Sequence, residues 1–73
     1  MAMERLLFSV VSEGAEWRVT SAGDLCGRYR SKLRALEDAS ERAYQGHLYN
    51  GDPTGVEVRM NCGDAVLVRR YGE

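Results

Sequence analysis

The sequence predicts a two-layer α+β domain in which one helix packs on a mostly antiparallel sheet of four to five strands, in the order ββ(β)αββ. Three observations carry that reading. One stretch only, 31–47, repeats apolar residues at helical spacing. The segments on either side alternate polar and apolar residues with the period of two that suits a sheet covered on one face. The 73 residues, 44% of them hydrophobic and 29% charged, make one soluble globular domain spanning 1–73, near the size limit at which a core forms without staples.

The first strand is expected over 4–12, where Leu6, Phe8 and Val10 alternate with Leu7, Ser9 and Val11. Glu13, Gly14 and Ala15 form a turn. Residues 16–21 follow as a second strand, with Trp17 and Val19 on one face and Glu16, Arg18 and Thr20 on the other. After the turn Ala22-Gly23-Asp24, residues 25–30 put Leu25, Gly27 and Tyr29 opposite Cys26, Arg28 and Arg30.

The helix is expected to start at Ser31, whose hydroxyl can accept from a first-turn amide, and to end near Gly46, before His47. Ala35, Ala39, Ala43, Leu33, Leu36, Ser40 and Tyr44 share its inner face; Arg34, Glu37, Asp38, Glu41, Arg42 and Gln45 lie mainly outside. Small residues on that inner face let the helix backbone approach a sheet closely. His47 to Gly55 reads as a loop, because Asn-Gly, Asp-Pro and Thr-Gly punctuate it. Residues 56–60 resume alternation, 61–64 supply a hairpin turn, and 65–71 form the last strand, with Val66 and Val68 inward and Ala65, Leu67, Arg69 and Tyr71 outward. Arg70 then falls on the inner side. If the helix returns the chain antiparallel to the first strand, the fourth strand lies parallel beside the first, and the sheet order is 3-2-1-4-5.

These registers place Arg18, Arg28, Arg30, Arg59 and Arg69 on the face away from the helix, with Glu16 and Glu57 as its acids. Leu7, Val11, Leu67 and Tyr71 supply apolar ground there. The net charge of −1 excludes the general argument that a basic chain binds polyanions, so charge distribution must carry any such reading. Bidentate arginines on this face could hold phosphates with Tyr71 stacking a base, or grip an acidic protein surface with Leu7 and Leu67 as anchors. Solvated strand arginines whose stems cover apolar surface are the plain alternative.

Enzyme chemistry finds no set of nucleophile, base and oxyanion donors. Cys26, Cys62 and His47 stand singly, without metal-ligand spacing, and the turn-rich 50–55 has no Lys for a phosphate loop. No metal and no cofactor are expected. The apolar run Leu6 to Val11 is too short for a signal-peptide core or a membrane span, so a cytoplasmic protein with two free thiols is expected.

A Trp-x-Val strand, a Ser- or Thr-capped alanine-rich helix and a last hairpin ending Tyr-Gly resemble a family of small bacterial domains of unknown function. Here the corresponding residues are Trp17-Arg18-Val19, Ser31 with Ala35, Ala39 and Ala43, Val56-Glu57-Val58, and Tyr71-Gly72. The resemblance spans about 7–72. It departs in the longer loop 47–55 and in the turn Cys62-Gly63-Asp64, which replaces the family's Asp-Gly. It implies a ββαββ fold and no known activity. The build also looks like that of small phage proteins that inhibit bacterial defence complexes, certain anti-CRISPR proteins among them, with no shared residue motif.

The expected function is a small non-enzymatic protein-binding module or inhibitor, bacterial or phage, acting through the open face with Arg18, Arg28, Arg30, Arg59, Arg69, Tyr71, Leu7 and Leu67. Its partner would be a protein or a second copy. A nucleic-acid-binding accessory protein using the same face, and a phage-type inhibitor of a defence complex, are the alternatives.

Overall fold

The computed structural model describes residues 5–59 and 63–72. Glu4, Met60, Asn61 and Cys62, placed above in the first strand, the fourth strand, the last turn and among the free thiols, lie outside the described residues. Strands β1 (Leu6–Glu13), β2 (Glu16–Ser21) and β3 (Asp24–Tyr29) precede helix α1 (Lys32–Asn50), and β4 (Thr54–Arg59) and β5 (Ala65–Tyr71) follow it. They form one five-stranded mixed sheet in the order β3-β2-β1-β4-β5, as expected from the direction argument. Only β1 and β4 pair in parallel.

Two-residue turns join the first three strands. The second holds Ala22 at φ 53 and Gly23 at φ 85, so both central residues are left-handed, as a tight hairpin matching the sheet's twist demands. Ala22 carries a Cβ in that region, a local strain of about 1 kcal/mol.

The helix is longer than its apolar spacing suggests. Ser31 caps it in extended conformation, its Oγ accepting from the Arg34 amide at 3.4 Å. Its end is Gly51, not Gly46: Gly51 sits at φ 74 and donates its amide to the His47 carbonyl at 2.7 Å. Gly46 instead extends the inner stripe, where a Cβ would come no closer than 3.8 Å to Thr54 Cγ2. His47 therefore belongs to the last turn, with Nδ1 2.8 Å from the Asp52 carbonyl, and the long loop shrinks to residues 51–53. Gly-Asp-Pro stops the helix because proline cannot supply the next amide.

The core lies between this stripe and the central strands. Ala35, Ala39 and Ala43 are buried against Phe8, Val10, Val19, Val56 and Val58, each large side chain contributing roughly 1.5–3 kcal/mol of burial. Buried Thr54 donates Oγ1 to the Ala43 carbonyl at 2.6 Å and fixes the helix over β4. Arg5 ties the far end: its guanidinium donates to the carbonyls of Thr54, Tyr71 and Gly72 at 2.6, 3.1 and 3.1 Å.

Each edge strand carries a bulge. In β3 the register with β2 shifts between Val19↔Gly27 and Thr20↔Leu25, leaving Cys26 as the extra residue. In β5 the register with β4 shifts between Val56↔Arg69 and Glu57↔Leu67, leaving Val68 extra. Strict alternation fails past each bulge. Leu25, expected toward the helix, shares the open face with Thr20, while Cys26, expected outside, packs against the core.

Candidate functional site

The face away from the helix is built from the residues that alternate with the core. Leu7 lies opposite Gly55, Val11 lies between Arg18 and Arg59, and Arg18 lies opposite Arg28. Leu67 pairs with Glu57 on the same face and is 47% exposed. Arg18, Arg28, Arg59, Leu7 and Leu67 thus stand where alternation put them. Arg30 is exposed just beyond the end of β3 rather than on the strand.

Arg69 and Tyr71 do not belong to this face. Arg69 lies opposite buried Val56 and Tyr71 opposite buried Thr54, both of which face the helix. The extra residue at Val68 inverts the strand from that point, which also moves Arg70 to the open face opposite Gly55. Tyr71 packs on Tyr44 of the helix, with ring centroids 5.6 Å apart and planes tilted by 57°. The expected base-stacking tyrosine is therefore an internal contact.

The remaining arginines are answered by acids. Glu13 lies 3.1 Å from Arg18 and Glu16 3.9 Å from Arg28 as ion pairs, and Glu57 accepts from Arg59 Nε at 3.1 Å. Glu13, opposite Glu16 in the sheet, is a third acid on this face beyond the two expected. Glu57 is nearly buried and also accepts from Ser9 Oγ at 2.7 Å, so it anchors Arg59. Arg18 Nε is buried and unpartnered, so that guanidinium lies against the sheet rather than reaching out. The ion pairs at Arg18, Arg28 and Arg59 offset part of the positive charge that a phosphate backbone would draw on.

A different surface emerges on the helix side. A groove of about 700 Å³ runs between α1 and β5, lined by Leu33, Leu36, Val68 and Tyr71, with Glu37 and Glu41 on the helix wall and Arg69 on the strand. Val66, Leu67 and Val68 are 46%, 47% and 43% exposed, and Leu33 68%. These apolar residues occupy both faces of an edge strand and the wall beside it. The sequence signals were the unbroken run Val66-Leu67-Val68, read above as two inward valines flanking an outward leucine, and a helical apolar face wider than its alanine stripe, read above as the helix's inner face.

The opposite edge is covered. Arg42 donates Nε to Asp38 at 2.8 Å and Nη2 to the Cys26 carbonyl at 3.1 Å. That hydrogen bond to Asp38 holds the Arg42 pKa above its ordinary value. Burial, helped by the Asp38 charge, raises the Tyr29 hydroxyl above its usual 10.0.

Among the described residues, no three or more His, Cys, Asp or Glu side chains converge to hold a metal, and no helix is long and apolar enough to cross a membrane. Comparison with protein-family models, curated proteins and solved structures finds no match to this chain.

Proposed function

We propose that the protein is a small non-enzymatic binding module whose partner is a protein, engaged along the β5 edge and the apolar groove beside it. One observation carries this reading: half-exposed Val66, Leu67 and Val68 occupy both faces of an unpaired edge strand, next to the exposed Leu33 wall. Charge normally blunts such an edge, here at Arg69 and Arg70, and a small domain has reason to cover the apolar stretch 65–68 ahead of them. The sheet face with Arg18, Arg28 and Arg59 becomes the polar rim of the contact, since its ion pairs are already made. An inhibitor is one form such a module takes. The free thiol of Cys26 fits a reducing compartment, which supports placing the module in the cytoplasm.

The test is capture on the tagged full chain from nuclease-treated extract at low and high salt, with Val68→Lys in parallel. A protein retained through nuclease and salt, and lost with Val68→Lys, is the expected outcome. Recovery that requires nucleic acid, and falls steeply with salt, overturns the reading in favour of the arginines.

A further inference from the structure

We propose that the β5 edge is occupied by β5 of a second copy, antiparallel across a two-fold axis, so that the two sheets join into one. This rests on reading β5 as the binding surface and names its partner. Among the described residues β5 pairs with β4 alone, so along its other side N–H and C=O groups point outward in the plane of the sheet. A second strand satisfies them without moving either core.

The strand is self-complementary in that orientation. With the axis at Leu67, Leu67 meets its own copy on the open face, and Val66 of each copy meets the bulged Val68-Arg69 of the other on the helix side. Arg70 then lies beside Ala65. Every pair keeps its face, because Val66 shares the helix side with Val58, Arg69 with Val56, and Ala65 and Arg70 lie opposite Arg59 and Gly55. The two Arg70 side chains end about 15 Å apart at about 3.3 Å per residue, beyond the screening length of about 8 Å at physiological salt. A parallel, in-register pairing would instead stack arginine on arginine.

The groove supplies the matching charge. Tyr44 lies against Tyr71. Counting back from that contact at about 3.3 Å per residue in the strand and about 1.5 Å in the helix brings Val66 level with the turn that holds Leu33 and Glu37. Arg69 of the second copy, arriving beside Val66, therefore meets Glu37 on the groove wall, and the reciprocal contact forms by symmetry. Leu33 and Val68, 68% and 43% exposed in the single chain, are covered in the same step. An unrelated strand would have to reproduce this sequence of apolar and cationic positions.

The experiment is the mass of the purified full chain by light scattering over a concentration series. The expected species has twice the 8.2 kDa mass of the chain. Val68→Lys should raise the dissociation constant about tenfold or more. Leu25→Lys, at a residue of like exposure on the β3 edge (49% against 43%), should leave it unchanged, with circular dichroism confirming that both fold. Glu37→Arg and Arg69→Glu should each weaken the dimer, and the double substitution should restore it, a readout independent of Val68. A chain that stays monomeric at about 1 mM, a dimer indifferent to Val68→Lys, or a double charge swap that fails to rescue overturns the proposal. A monomer that still captures a different protein through β5 overturns the second copy and leaves the binding-module reading standing; a monomer that captures none overturns both.

Discussion

The two edges of the sheet are strands of six and seven residues, each with one bulge, yet they meet solvent differently. At β3 the helix reaches across: Arg42 takes the Cys26 carbonyl, Asp38 holds Arg42, and the Tyr29 ring lies over Gly27, where a Cβ would sit 3.1 Å from its Cε2. At β5, among the described residues, the Tyr44–Tyr71 contact closes the gap, and the strand ahead of it is exposed at Val66, Leu67 and Val68. A single helix seated by an alanine stripe has side chains long enough to guard one edge. The helix residue Arg42 holds a carbonyl of the β3 edge, whereas the β5 edge exposes Val66, Leu67 and Val68 ahead of Arg69 and Arg70.

That contrast can be broken from either side. The largest expected effect is Arg5→Ala, which removes three hydrogen bonds from a charged donor to the ends of β4 and β5. It should cost about 2 kcal/mol in denaturant midpoint and speed amide exchange in β5 with little change in β3. Arg42→Ala should cost less, about 0.5–1 kcal/mol given its partial exposure, and should make the Cys26 end of β3 exchange as an open edge does.

The guarded edge also predicts a pH dependence. Because the neutral Tyr29 hydroxyl is favoured in the folded chain, the unfolded chain loses that proton first as pH rises past 10.0, so stability falls above that pH and is insensitive to this group below it. Selective labelling should show Tyr29 titrating above 10.0, and Asp38→Asn should reduce the shift without abolishing it, since burial is the larger cause.

The last effect is a gain. Gly46→Ala places a Cβ at ordinary contact distance from Thr54 inside a helix and should stabilise by about 0.5–1 kcal/mol. It acts on the helix as a whole, so both edges should keep their relative exchange rates; a change confined to one edge would show that helix position, not side-chain cover, sets the difference.

The centre of the molecule was legible in the sequence and its edges were not. β1, β2 and β4 are buried on one side and must alternate, so Phe8, Val10, Val19, Val56 and Val58 announced their faces, and strand directions alone led to the order 3-2-1-4-5. Arg18, Arg28, Arg59, Leu7 and Leu67 followed from the same alternation. Leu25, Cys26, Arg69, Arg70 and Tyr71 were misplaced because a bulge adds one residue with no compositional mark, and every side chain beyond it changes face. The helix end was misread because Gly46 and Gly51 look alike in sequence: one is small to fit against β4, the other left-handed to end a helix. Arg5 was invisible as a clamp, since its partners are backbone carbonyls of Thr54, Tyr71 and Gly72, far along the chain.

The Arg5 clamp also bears on how the chain reaches this state. Its bonds to Tyr71 and Gly72 close loops of 66 and 67 residues, the longest separations among the described side-chain contacts, and loop entropy disfavours them until the sheet between them has formed. The clamp is thus a late event, and its strength is spent holding the native state rather than reaching it. Arg5→Ala should leave the folding arm of the chevron near its wild-type position and raise the unfolding rate, so that this single side chain governs how long β5, once docked, stays in place.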